Sequence, residues 1–203
     1  MELERFYDEE MVRRVRQRWA FARDYGDWDE MRACFHPDAT VCVSWFSGPV
    51  AIFFERTIAM AAERRPEERS KHWFGGSRVA VKGDRAILET DAQVQVRDWF
   101  DGHLFDLTAY TRMYDRVERR QGMWRIARMI VIYDKDRMEP VVPGELPPGF
   151  FGGVKLSGPD SSIAFMRFRT EKRGRKVPPE LVIGGSDGER RLRAETETWL
   201  AEG

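Results

Sequence analysis

Three histidines, His36, His72 and His103, are the only side chains in this sequence whose unperturbed titration falls near neutrality. His72 opens a stretch of strand character, and Asp24 closes the first helical stretch. If these two met, the carboxylate would accept one imidazole N–H, fix the tautomer and stabilise the imidazolium. The other ring nitrogen would then be left to take a proton from a bound molecule. Spacing alone favours a plainer reading, a surface aspartate and a strand histidine with ordinary hydrogen bonds. His36 lies in a helix-stopping turn and His103 beside a hairpin turn, and both are expected to face solvent.

Other side chains offer supporting chemistry. Arg97 has no acid-base role near neutral pH, but its guanidinium can hold an enolate, phenolate or carboxylate by charge-assisted hydrogen bonds. Thr108, Tyr110 and Arg112 alternate along one strand and so share a face. From there Tyr110 can donate a proton to a leaving hydroxyl. An exposed arginine and a packing tyrosine are the plain alternatives. Seven Trp and thirteen Phe are a heavy aromatic load. Trp45, Trp73, Phe74, Trp99, Phe105 and Trp124 are expected to divide between the core and the wall of a pocket for a flat molecule.

No group of His, Cys, Asp and Glu has metal-ligand spacing, so no metal is expected. The glycine pairs at 75–76, 152–153 and 184–185 lack the strand-to-helix setting of a phosphate loop, so no nucleotide cofactor is expected either. The basic run of Arg167, Arg169, Lys172, Arg173, Arg175 and Lys176 could touch an anion, but reads more readily as a solvated charged face.

The elements that would position these groups follow from periodicity. Met11, Val15, Trp19 and Ala22 recur at helical spacing over residues 8–25, Gly26 ends that helix, and Asp27 caps a short second one that stops at His36-Pro37. Residues 39–46 read as a strand and 50–64 as a helix. Four long strands follow, at 73–81, 86–99, 104–117 and 123–133, joined by turns at Lys82-Gly83-Asp84, Asp101-Gly102 and Gln121-Gly122. Strands tied by such turns pair antiparallel, and the helices must cover one face of the resulting curved sheet, which makes a pocket of the concave side. Beyond Asp136, prolines and glycines precede the basic run and a final amphipathic stretch near 189–200. One domain over 1–136 with a C-terminal extension over 137–203 is therefore expected.

Hydrophobic residues are 42% of the chain and charged residues 33%, proportions of a chain that folds into a globule. Lys plus Arg and Asp plus Glu each number 34, so no net field draws nucleic acid or an anionic membrane. No apolar run is long enough to span a bilayer. Two cysteines, Cys34 and Cys42, make no disulfide framework, and a cytoplasmic setting is expected.

Three segments carry a family resemblance: Asp24-Tyr25-Gly26-Asp27-Trp28-Asp29 running to Phe35-His36-Pro37-Asp38-Ala39, then His72-Trp73-Phe74-Gly75-Gly76, and Gly122-Met123-Trp124-Arg125-Ile126. With the order of elements, these resemble the nuclear transport factor 2-like superfamily, in its branch of SnoaL-like cyclases and scytalone dehydratase, over about residues 8–134. The resemblance implies a cone-shaped α+β fold. It places Asp24 and His72 at the positions of a catalytic dyad, Arg97 where a second histidine is usual, and Thr108 and Tyr110 among the pocket's polar groups. Arg23 and Val43 stand where the family has tyrosines, with Tyr25 and Trp45 close by.

A cofactor-independent lyase is the function this resemblance implies. Its substrate is expected to be a small hydrophobic, aromatic or polyketide-like alcohol, losing water or, by carbon–carbon cleavage, formaldehyde. The catalytic set is His72, Asp24, Tyr110 and Arg97; Tyr25, Trp45, Phe74, Trp99, Thr108 and Arg112 are the substrate contacts. The superfamily also implies rivals: a non-catalytic small-ligand binder, a dioxygenase β-subunit-like partner, or an epoxide hydrolase or isomerase. Covering of the cone's open face by another copy implies a homo-oligomer.

Overall fold

The computed structural model describes residues 2–144 and 146–203. Helix α1 (Glu2–Tyr25) buries Val12, Arg16, Trp19 and Arg23, a stripe at spacings of four, three and four. Gly26 closes it with φ of +77°, the left-handed conformation that favours glycine at a helix end. Asp27 then caps α2 (Trp28–Ala33) by accepting the Glu30 backbone N–H at 3.1 Å.

Strand β1 (Phe35–Val43) turns back into β2 (Phe46–Pro49), and α3 (Val50–Ala62) leads to the four long strands β3 (Arg69–Lys82), β4 (Arg85–Phe100), β5 (His103–Arg120) and β6 (Met123–Pro140). Asp101-Gly102 and Gln121-Gly122 each have positive φ at both residues, the hairpin geometry whose twist matches the flanking strands. The strand order is β2-β1-β6-β5-β4-β3. The sheet is curved, unclosed and mixed rather than wholly antiparallel, because β1 runs parallel to β6. Everything from β2 to β5 serves as the crossover that a parallel pair requires. β6 runs on to Pro140, past the expected change of character after Asp136.

The inner face packs on α1 and α3 through Leu88, Ala92, Leu107, Ala109, Met113 and Val131 among others. At its centre Arg16 of α1 meets Asp115 of β5, both fully buried, with Arg16 Nε donating to Asp115 Oδ2 at 3.0 Å. This pair ties α1 to the centre of the sheet.

The extension folds as a 3₁₀ turn (Pro159–Ile163), α4 (Ala164–Lys172), the two-residue β7 (Val182–Ile183) parallel to β6, and α5 (Asp187–Ala201). α5 lies on the outer face of the sheet, where Leu192 is buried with Cys42, Ile87, Tyr114 and Ile130. Truncating Leu192 to alanine is expected to cost about 2–3 kcal/mol in urea unfolding. An unchanged midpoint would show that α5 is not part of the cooperative unit. No helix among the described residues is long and apolar enough to cross a membrane.

Candidate functional site

The end of α1 and the start of β3 cross so that Asp24 and His72 meet. His72 Nδ1 lies 2.7 Å from Asp24 Oδ1, and the His72 backbone N–H donates to Asp24 Oδ2 at 2.8 Å. Side-chain exposure is 10% for His72 and 4% for Asp24. Burial is the largest influence on Asp24 and would raise its carboxyl. The two His72 hydrogen bonds and Lys71 at 3.5 Å outweigh it and hold the carboxyl below its ordinary range, with the imidazolium adding its attraction whenever His72 is protonated. Asp24 is therefore a carboxylate, which only accepts, so Nδ1 carries the proton and Nε2 keeps its lone pair. Burial also dominates at His72 and pulls the imidazole below its ordinary value, with Asp24 acting against it. A neutral imidazole with Nε2 unpartnered among the described residues is a base. Trp19 braces the ring edge-on, at 5.0 Å between centroids.

His72 lines a cavity of about 110 Å³, several times the room of one buried water. Its apolar walls are Val43 and Trp45 from the β1–β2 bend, Phe53 and Met60 from α3, and Val94 and Met113 from the sheet. Trp45 stacks on Phe53 at 5.5 Å. Tyr133 of β6 also lines it; its hydroxyl accepts the Ser44 backbone N–H at 2.9 Å, which leaves its proton to donate. Burial pushes that phenol up to about 12.

The far wall is charged. Arg23 and Arg64 line it with Arg169, Arg173 and Arg175, the last three contributed by α4 and the loop after it. Arg169 Nε pairs with Asp98 at 2.5 Å, and Arg173 bridges Asp98 at 3.2 Å and Glu68. The basic run read as a solvated face thus turns three of its four arginines inward. Among the described residues no three His, Cys, Asp or Glu side chains converge as metal ligands would.

The other expected site residues fall elsewhere. Val96 and Asp98 of β4 face the cavity, so Arg97 and Trp99 between and beyond them face out. Arg97 forms a two-pronged ion pair with Asp106 at 2.7 and 2.6 Å. On β5 the inner positions are Leu107, Ala109 and Met113, which puts Thr108, Tyr110 and Arg112 on the outer face. There the Lys135 ammonium sits 4.8 Å from the Tyr110 ring, and Arg112 ties Glu189 of α5 at 2.6 Å to Asp134 at 2.8 Å. Tyr25 is 76% exposed and stacks on Phe21, because one step along α1 turns it away from the side that Asp24 occupies. Phe74 is on the inner face but stacks on Trp19 at 6.3 Å, beside the cavity rather than in its wall. Arg23 and Val43, at the family's tyrosine positions, and Trp45 do line the cavity. His36 is buried, with Nε2 2.9 Å from the Glu118 carbonyl, because the strand begins at Phe35 and carries it under the sheet edge; His103 packs edge-on against Phe105 and Phe150.

The sequence did not single out Tyr133, Asp98 or Arg64; Arg23 was noted only at a family tyrosine position, and Arg169, Arg173 and Arg175 only as part of the basic run. Strand parity counted from the correct face would have found Asp98, while nothing local marks the arginines.

Comparison with known proteins agrees with this architecture. Pea pathogenicity protein 2 of Fusarium vanettenii is 30% identical over 138 residues, which are 67% of this chain and only 58% of that protein. A candidate scytalone dehydratase from Novosphingobium aromaticivorans superposes with a TM-score of 0.59 at 14% identity, over 71% of this chain and all of its own. The hexachlorocyclohexane dehydrochlorinase LinA type 2 does so with a TM-score of 0.54 at 14% identity, over 74% of this chain and all of its own. The model of the SnoaL-like domain matches residues 4–130. The helices, the curved sheet and this match together make the chain a member of the SnoaL-like domain family, with the nuclear transport factor 2-like fold.

Proposed function

We propose that this protein is a cofactor-independent lyase that removes water from a small, largely hydrophobic hydroxylated carbonyl compound. The observation that carries this reading is the His72 imidazole, bonded through Nδ1 to Asp24 at 2.7 Å, in the wall of a cavity. The dehydratase and dehydrochlorinase among its structural neighbours add to it by analogy.

In the proposed reaction His72 Nε2 takes the proton from the carbon beside the carbonyl. The freed electron pair forms the carbon–carbon double bond, and the bond from the neighbouring carbon to its hydroxyl breaks. Tyr133 gives its proton to the departing oxygen, so that water leaves. The proton gathered by His72 returns to Tyr133 through solvent before the next turnover. Asp24 stays ionised throughout and steadies the imidazolium.

The test is a panel of β-hydroxy ketones made from aryl aldehydes, followed by the absorbance of the conjugated enone. Conversion of at least one member without added cofactor is expected, and Tyr133→Phe should lower kcat about 10–100-fold. Tight retention of panel members with no product would favour a binding protein instead. Because the neutral imidazole is the working form, kcat/KM should fall as pH drops, with a midpoint below the ordinary histidine value of 6.5. A midpoint above that value would contradict the burial of His72.

A further inference from the structure

Three side chains lining the cavity carry donors with no hydrogen-bond partner among the described residues: Trp19 Nε1, Arg23 Nη1 and Ser70 Oγ. They are placed together. Trp19 and Arg23 are four apart on α1 and face the same way, while Ser70 is two before His72 on β3 and shares its inner face. Arg23 is 7% exposed and makes no ion pair among the described residues. Nor do the side chains of Arg64 and Arg175, whereas Arg169 and Arg173 are neutralised by Asp98 and Glu68.

A buried guanidinium with an unmatched N–H is costly, because desolvation is not repaid by a partner. Burial and the neighbouring charges of Arg64 and Arg169 bring Arg23 down to about 10. Among the described residues five arginines line the cavity against the carboxylates of Glu63, Glu68 and Asp98, and Glu63 is exposed. The wall therefore has positive charge to spare on the side where donors are unpaired.

We infer that this cavity takes a molecule bearing a carboxylate, held by the fork of Arg23 with Trp19 Nε1 and Ser70 Oγ and drawn in by Arg64. A planar carboxylate matches a guanidinium fork, and the rest of the ligand lies against Trp45 and Phe53. The inference deepens the lyase reading by naming a substrate class for the same cavity, and binding tests it separately from turnover. The residues that would hold the carboxylate lie within the part matched to the family, 4–130, while the C-terminal extension adds Arg169, Arg173 and Arg175 to the same wall.

The probes are benzoate and its neutral isostere benzamide, titrated at low ionic strength by calorimetry and by the change in the protein's tryptophan fluorescence, to which Trp19 and Trp45 in the cavity wall contribute. Benzoate should bind at least tenfold more tightly than benzamide. Arg23→Gln should lose at least tenfold for benzoate and little for benzamide, and Arg64→Gln, at a half-buried position, should weaken benzoate several-fold. His72→Asn should keep benzoate affinity while turnover is lost, so failure of the lyase reading would leave this result standing. Equal binding of the two probes, no binding of benzoate, or benzoate affinity retained in folded Arg23→Gln would overturn the inference. Inorganic phosphate binding as tightly as benzoate would also overturn it.

Discussion

Replacing His72 with alanine should lower kcat/KM on any converted substrate by about 10²–10⁴-fold, the usual share of a positioned general base. The fold should survive, because the imidazole makes one side-chain hydrogen bond and Asp24 keeps the backbone N–H of residue 72. Asp24→Asn is the more searching variant. Its amide can donate to Nδ1, which would move the ring proton to Nε2 and leave the nitrogen facing the cavity without its lone pair. A loss of about 10²-fold or more is expected although the shape barely changes, corresponding to about 2.7 kcal/mol of barrier. If Asp24→Asn keeps full kcat while His72→Ala loses it, the carboxylate does not set the tautomer. If both keep it, the chemistry lies elsewhere.

The second large effect lies beneath the site. Asp115→Ala should destabilise the protein by about 3–5 kcal/mol in urea unfolding, because it strands the Arg16 guanidinium in the core. Arg16 also donates to Met129 Sδ at 3.3 Å and lies 4.7 Å from the Trp19 ring, so its loss of anchorage reaches the helix that carries Trp19, Arg23 and Asp24. The double variant Arg16→Met with Asp115→Leu should recover most of that loss, since a well-packed apolar pair can match a buried ion pair. If Asp115→Ala proves neutral, the pair is not what holds α1 in place.

The two faces of the sheet explain which residues the sequence located and which it misplaced. Hairpin turns are local, so Asp101-Gly102 and Gln121-Gly122 marked the strand ends within a few residues. Strand parity is not local. On β4 both Ile87 and Leu88 are buried, one under α5 and one under α1, and this blurs the alternation that would identify the inner face. A slip of one position moves every side chain across the sheet, and the family resemblance that put Arg97, Thr108 and Tyr110 in the pocket is one position off the inward-facing Val96 and Asp98 on β4 and Leu107 and Ala109 on β5. α5, read only as an amphipathic end, is the element that draws Arg112 outward through Glu189.

Buried arginines hide for a different reason. Arg16 and Arg23 occupy the apolar stripe of α1, where a periodicity reading sees only charge and assigns solvent. Arg169, Arg173 and Arg175 reach the cavity because α4 folds back on the end of β6, with the Met166 backbone N–H donating to Asp136 at 2.6 Å. Nothing in the spacing of the basic run encodes that return. Asp24 and His72 were placed together by family resemblance, as their separation of 48 positions carries no contact information of its own.

The nitrogen resonances of the three imidazoles, followed against pH in isotope-labelled protein with His72→Gln for assignment, test the central claim without any substrate. The expected result is a neutral His72 ring protonated at Nδ1, titrating below 6.5. A ring protonated at Nε2, or one that titrates above that value, would contradict it.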